Sequence, residues 1–346
     1  MKREITLRDI GRQLGLSAMT VSLALRDSPR ISDATKKRVR AAVRGMNFVP
    51  NQLARALATG RSNLIGVIVP NSSDLYYAEV IRAIEDAESA VQYDVLLCNG
   101  SYRMETYTAR VRDMRRLHMK GIVAAPPFTT ARPRLPAFWK ELLQSDFEVV
   151  LINRQLEPPI FHQVAADYMA GVGMVARALA ERGHRRVAYI SGTPEVLPFR
   201  QRLDVFRRCV REFGFDADES LIERGELTCA GGYEACRRLW KANRRKPTAV
   251  VASNDTSAVG VLRYLDEAGV TVPGQVSIAS FDGTPFADFV HRSLTTVVTP
   301  MYEIGRQAFA TLLGAMRGEL DAPRSLILPV ELRLRESIGP APARGA

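Results

Sequence analysis

Side chains capable of bond-making chemistry are scattered along this sequence rather than gathered. His118, His162, His184 and His291 stand alone, and Cys98, Cys209, Cys229 and Cys236 form no C-x-x-C pair. The cysteines read as reduced thiols, mostly in the core. No G-x-S-x-G, H-E-x-x-H or Walker loop occurs, and adjacent carboxylates such as Glu85 and Asp86 fit a solvated helix face. Gly171-Val172-Gly173-Met174-Val175-Ala176 matches the G-x-G-x-x-A dinucleotide fingerprint, which requires an acid about 20 residues further on. The chain has Ser191-Gly192-Thr193 after the next strand instead, and small residues that let a helix pack closely explain the match. With no nucleophile beside a base, the sequence predicts no enzyme, no cofactor and no metal site.

Two other groups of residues suit binding. Asn71, Asp74, Tyr76, Asn99, Asn153, Arg154, Asn254 and Asp282 fall just after β-rich runs, and Arg202 lies near the start of a helix. In open α/β sheets, ligands bind beyond the carboxyl ends of strands. Carboxylates and amides match the donor and acceptor pattern of vicinal hydroxyls, and an aromatic face stacks on a sugar ring, so a sugar or sugar derivative is the expected ligand. Taken singly, each Asn or Asp also fits capping or turn chemistry. The run Arg200, Arg202, Arg207, Arg208, Arg211 leaves open which arginine faces inward. The second group is cationic. Residues 1–61 hold 13 Lys and Arg against 4 Asp and Glu, whereas the remainder holds 35 against 33, so nearly all of the net +11 sits in front. Such a block is a footprint for a polyanion, because each cation placed near a phosphate releases a counterion.

The elements that must position these residues follow from periodicity. Leu7, Ile10 and Leu14 share one face of a short helix opened by Thr6-Leu7-Arg8-Asp9 and ended at Gly15, and Gly11 weakens it. Ser17 caps a second helix with Val21 and Leu25 inward. A third starts at Ser32 and places Val39, Val43 and Met46 inward before ending near Gly45. Two short helices joined by a tight glycine turn and braced by a third make a helix-turn-helix, whose second helix presents Ala18, Met19 and Ser22 to base edges in a major groove. Residues 51–61 form one further short helix, marginal alone in water. Beyond it, β-rich runs (Leu64 to Val69, Tyr93 to Cys98, Gly121 to Ala125, Glu148 to Ile152, Val187 to Ser191, Ala249 to Ala252, Val276 to Phe281) alternate with amphipathic helices. This predicts an α/β body of parallel sheets covered on both faces. The pattern restarts near His162 to Asp167, which favours two lobes.

Thr6-Leu7-Arg8-Asp9-Ile10, Leu16-Ser17-Ala18-Met19-Thr20-Val21-Ser22, Ile31-Ser32-Asp33-Ala34-Thr35 and Asn47-Phe48-Val49-Pro50-Asn51 occur in order. In this the front resembles the headpiece of the lactose-repressor (LacI/GalR) family. The body resembles that family's two-lobed effector module, itself similar to periplasmic binding proteins, through Leu64-Ile65-Gly66-Val67, Gly183-His184-Arg185-Arg186-Val187-Ala188, Ser253-Asn254-Asp255 and Ser280-Phe281-Asp282. The resemblance spans about residue 5 to 337. It implies that Thr6, Leu7, Ser17, Ala18, Met19, Thr20, Ser22, Leu23, Arg26, Arg30 and Ser32 face double-stranded operator DNA. It makes residues 50–61 a hinge helix in which Asn51 and Ala54 lie close to the duplex and Leu57 wedges into a minor-groove step. It places Asn153, Arg202, Asn254 and Asp282 against the effector and Met301 at the cleft. One departure stands out: Leu23 follows the Thr-Val-Ser triplet where relatives often carry Arg. Arginine donates two bonds to guanine, whereas leucine offers only apolar contact, so the operator differs. Leu23 packed against the body, reading nothing, is the alternative.

The expected organisation is therefore a headpiece over 1–49, a hinge over 50–61 and an effector and dimerisation body over 62–346. Its first lobe is drawn as 62–162 with 298–325, and its second as 163–297 with 326–338. The expected function is a repressor, a homodimer on a near-palindromic operator, whose grip a small molecule controls. The start of the chain runs into a polar helical pattern and no apolar run approaches 18 residues, so a cytoplasmic protein without membrane association is expected. The competing reading is an exported or cytosolic sugar receptor with no DNA function, which the basic front opposes.

Overall fold

A computed structural model of the chain describes residues 5–25, 27–46, 48, 62–89, 91, 93–127, 137–193 and 196–343. The chain forms two compact units, Met1–Ser62 and Asn63–Ala346.

The first unit holds three helices, α1 (Leu7–Leu14), α2 (Ala18–Leu25) and α3 (Asp33–Gly45). A reciprocal cap starts α1: the Asp9 amide donates to Thr6 Oγ1 at 3.3 Å, and the Thr6 amide donates to the Asp9 carboxylate at 3.0 Å. The helix stops at Gly15, whose φ of 67° lies in the left-handed region. Gly11 has a packing reason, since a Cβ there would fall 2.5 Å from the Leu16 carbonyl oxygen and push α1 off the turn. Ile10, Val21, Ala24 and Val39 are fully buried, with Leu7, Leu14, Leu25, Val43 and Met46 packed around them. Asp27, at φ 58°, ties the turn after α2 to α3 through Lys36 at 3.2 Å and Arg40 at 3.0 Å.

The second unit is built on two six-stranded sheets. One contains β1 (Leu64–Val69), β2 (Asp94–Asn99), β3 (Gly121–Ala124), β4 (Glu148–Ile152), β5 (His162–Ala166) and β11 (Ser325–Leu328), in the order β11-β5-β4-β3-β1-β2, all parallel. The other contains β6 (Val187–Ser191), β7 (Ile222–Arg224), β8 (Ala249–Ala252), β9 (Ser277–Asp282), β10 (Thr295–Val298) and β12 (Glu331–Arg333), in the order β12-β10-β9-β8-β6-β7, with β12 alone antiparallel. Helices α4 (Leu75–Glu88), α5 (Met104–Arg116), α6 (Ala137–Leu142) and α11 (Met301–Met316) cover the first sheet. Helices α7 (Tyr168–Glu181), α8 (Leu197–Glu212), α9 (Cys229–Ala242) and α10 (Asp255–Glu267) cover the second.

Strand period decides which side chain goes where. Ile65, Val67 and Val69 of β1 join one core with α4 and α11, while Ile68 turns the other way, into a second core with Tyr107, Val111 and Met114 of α5. Strands buried on both faces read as continuous apolar runs, as parallel sheets require.

The lobe boundaries drawn from sequence need correction. His162–Ala166 was expected to open the second lobe, and it is instead the fifth strand of the first sheet, paired with β4 through Val150 and His162. The Gln163 side chain fastens it there, accepting from the Leu156 amide at 3.0 Å and donating to the Leu156 carbonyl at 3.1 Å. Residues 326–338 were assigned whole to the second lobe. The run divides at Pro329, which cannot donate to a ladder, so β11 joins the first sheet and only β12 joins the second. The chain thus crosses between the sheets three times: after β5, after β10 and between β11 and β12.

Candidate functional site

In the first unit, α2 turns its amino-terminal end to solvent. Met19 is 66% exposed. Ser17, Arg30 and Ser32 are exposed, and Ala18, Thr20 and Ser22 are half-buried. Ser17 caps α2 by accepting from the Thr20 amide at 3.0 Å, and Ser32 accepts from Thr35 at 3.4 Å. Thr6 caps α1, and Leu7 packs partly into the core. Leu23 is half-buried and is not among the described side chains packed on that core. Arg26, Asn51, Ala54 and Leu57 lie outside the described residues.

In the second unit a cleft opens between the sheets at the carboxyl ends of their strands. Of the eight effector positions read from sequence, six line it: Asp74, Tyr76, Asn153, Arg202, Asn254 and Asp282. Asn71 does not; its Oδ1 accepts from the Ser73 amide at 3.0 Å and shapes an exposed turn. Met301 does not either: it is buried in the main core at the start of α11. Asn99 likewise serves a turn, accepting from the Ser72 amide at 2.8 Å. Tyr77, Tyr102, Tyr168 and Phe199 line the cleft and escaped the sequence reading. Tyr168 stands two residues past the end of β5, within reach of the strand-end rule.

The polar groups are positioned by helix starts and strand ends. Asp74 caps α4, accepting from the Tyr76 amide at 3.0 Å, and burial pushes its carboxyl above the usual range. Asp282 closes β9 at φ 107°, followed by Gly283 at φ 73°. Burial, then the nearby Asp255 and Asp74 carboxylates, push Asp282 well above an ordinary carboxyl, and Arg202 only partly opposes them. Arg202 is itself buried. Its guanidinium carbon lies 3.7 Å over the Tyr168 ring and 5.1 Å from that of Phe281, and it donates to the Ser253 carbonyl at 3.1 Å. Arg154, also buried, donates to the backbone carbonyls of Pro126, Asn153 (2.6 Å) and Ala125 (3.0 Å). Asn254 caps α10 by accepting from the Ser257 amide at 2.9 Å, and its Nδ2 reaches the Leu227 carbonyl at 3.2 Å.

Two buried polar atoms here, Asn153 Oδ1 and Arg202 Nε, have no hydrogen-bond partner among the described residues, while the Tyr76 and Tyr168 hydroxyls meet each other. Unpaired groups in a dry site are expensive unless something else meets them, and they converge on one spot. The open volume between these side chains is about 30 Å³. At about 10–15 Å³ per water, that admits two or three waters and no sugar ring. Side chains must shift or the lobes must part for a larger ligand to enter.

Elsewhere the candidates for chemistry are structural. His184 is held between Thr248 Oγ1 and the Gly339 carbonyl, both at 3.0 Å. A Cβ on Gly171 would fall 2.8 Å from Val297, so this glycine lets α7 sit close to β10. Cys209 and Cys236 are buried, Cys98 is half-buried and Cys229 is exposed. Among the described residues, no helix is long and apolar enough to cross a membrane.

Comparison with known proteins places both units. The model for bacterial regulatory proteins of the lacI family matches residues 6–51, and that for a periplasmic binding protein-like domain matches residues 176–338. The transcriptional regulator GalS of Salmonella typhimurium is 31% identical over 318 residues, 92% of either chain. Catabolite control protein A of Priestia megaterium is 29% identical over 334 residues, 96% of this chain and 99% of that one. Among solved structures, the complex of the transcriptional regulator CelR with cellobiose shares 26% identity at a TM-score of 0.71, covering 96% of this chain and all of that one. With its capped three-helix front, its two sheets and a relative of this identity along nearly its whole length, the chain belongs to the lacI family of bacterial regulatory proteins.

Proposed function

We propose that this protein is a repressor that grips a near-palindromic operator as a homodimer, and that a small polyhydroxylated molecule, a sugar or sugar derivative, controls the grip from the cleft. The observation that carries the effector reading is the set of unmet polar groups around Asp282. The buried Asp282 and the half-buried Asp74, both with raised affinity for protons, together with Asn153 Oδ1, suit a ligand that offers hydroxyl groups. Tyr76 and Tyr168 add flat apolar walls beside their hydroxyls. The structure of CelR with cellobiose gives a relative that takes a sugar.

For the DNA side, the support is the concentration of cations in residues 1–61 and the exposed start of α2, with Met19 outermost. A ligand shifts operator affinity only by its differential affinity for the gripping and released states. Release by ligand is the sign favoured here. The test is an operator-binding titration with and without neutral sugars, on the parent and on Asp282→Ala. The variant is expected to bind operator normally and to ignore the sugar that moves the parent. Unchanged sugar response in the variant would displace the effector from this cleft.

A further inference from the structure

The first turn of α8 carries two adjacent faces with different duties. Pro198 and Arg202, four residues apart, both line the cleft. Leu197 and Gln201, also four apart, point to the other lobe. Leu197 is fully buried, yet the apolar cluster that buries it is otherwise made of residues of the first lobe, its strands, helices and connections: Ile68, Ala124, Trp139, Leu151, Leu156 and Phe161 among them. Among the described residues, Leu197 is the one member of that cluster from an element packed on the second sheet. Beside it, Gln201 Nε2 donates across to the Gln155 carbonyl at 3.4 Å. Leu197 does not line the cleft, and no polar contact involves its side chain.

We propose that Leu197 is the anchor that holds the two lobes closed, and that it sets effector affinity without touching the effector. Parting the lobes at the cleft withdraws α8 from the first lobe and strips Leu197 of its apolar surroundings. Closure therefore gains the burial of one leucine, delivered by the same helical turn that brings Arg202 to the cleft. A weaker anchor lowers the closed fraction, and the apparent affinity of any ligand that needs closure falls by the same factor. This consequence rests on the cleft being the effector site; the closure itself does not.

The test therefore needs no effector. In the full-length protein with Cys98 replaced by serine, spin labels are placed on the exposed Cys229 of α9 and on Glu105→Cys of α5, one on each side of the cleft. Labelled protomers are diluted into unlabelled protein, and pulsed dipolar spectroscopy reads the distance within one chain. Leu197→Asp cannot keep its carboxylate in the apolar cluster, and the ratio of open to closed molecules is expected to rise about a hundredfold or more, as a longer distance replacing the parent's. Leu197→Met, similar in volume, is expected to keep the parent distance. A folded Leu197→Asp protein with the parent's distance distribution overturns the anchor. So does loss of its far-UV circular dichroism, which would make Leu197 an ordinary core residue. If the distance shifts as expected while no sugar alters operator binding in the parent, the anchor stands and the effector reading fails.

Discussion

Asp282 illustrates how a polar residue of the cleft is held at the expense of stability. It is 7% exposed, lies near two other carboxylates and has Arg202 as its opposing charge. In the unfolded chain the group titrates near 3.8, whereas in the folded chain it titrates well above that. The folded state thus keeps a proton that the unfolded state has already released, and stability falls as pH rises from about 4 through the folded value. Asp282→Asn removes this dependence. Its melting temperature is expected to exceed the parent's at pH 7 to 8 and to converge with it near pH 4, read by calorimetry across a pH series. A variant less stable than the parent at pH 8 would show that the carboxylate is better satisfied than its surroundings indicate. A second residue-scale expectation concerns Leu23, half-exposed and outside the packed core. Leu23→Arg adds a two-pronged donor, and selection from randomised duplexes should return sites enriched in guanine at one symmetric pair of positions, at about 1–3 kcal/mol per contact. If the selected sites match those of the parent, Leu23 does not face the bases.

At the scale of elements, most boundaries were legible and their allotment was not. Leu64–Val69, Glu148–Ile152, Val187–Ser191 and Ala249–Ala252 appear in the sequence as apolar runs and in the structure as strands over the same residues. Periodicity reports that a strand is buried on two faces, but not which sheet buries it. That is why β5 and β11 were assigned to the wrong lobe. Tyr168, buried beside the cleft at the start of α7, reads from sequence as a core aromatic. Tyr77 and Phe199 were missed because an aromatic residue on a helix reads as core unless its neighbours in space are known, and Tyr102 because it sits in a turn, at φ 54°, three residues beyond β2. Met301 erred the opposite way, its position beside a sheet crossing matching the cleft while its side chain fills the core. Helix contact is set by residues that no binding pattern reveals. Gly260 of α10 would place a Cβ 1.9 Å from the Cys229 carbonyl oxygen on α9, and Gly232 of α9 would place one 2.0 Å from that of Ser257. Backbone cannot yield as a flexible side chain does. Gly260→Ala is therefore expected to destabilise the second unit by about 1–3 kcal/mol through forced separation of α9 and α10, despite alanine's better helix propensity. Gly173→Ala on α7, where a Cβ meets nothing within 4 Å, is the control and should leave the melt unchanged or slightly higher. Equal melting temperatures for the two variants would mean that the α9–α10 contact is looser than described.

At the scale of the whole molecule, charge and core are divided between the units. The second unit carries its own apolar cores on both faces of both sheets. The front holds the cationic excess and, among the described residues, a core with four fully buried side chains. A fragment starting at Asn63 should therefore fold and melt cooperatively while losing all retention on heparin or duplex DNA. The full chain should bind DNA with a steep salt dependence. For about six to ten phosphate contacts, the slope of log affinity against log salt is about −5 to −9, a loss of about 10³ to 10⁵ in affinity between 50 and 200 mM. Against that electrostatic background, Leu57→Ala separates grip from recognition. A wedge inserted in a base step contributes to specific sites alone, because only there is the duplex bent to receive it. The variant should keep the parent's salt slope and its affinity for random duplex, while specific affinity falls about tenfold or more. If both affinities fall together, residue 57 acts through folding or pairing of the front; if neither falls, the wedge is elsewhere, and sequence preference rests on α2 alone.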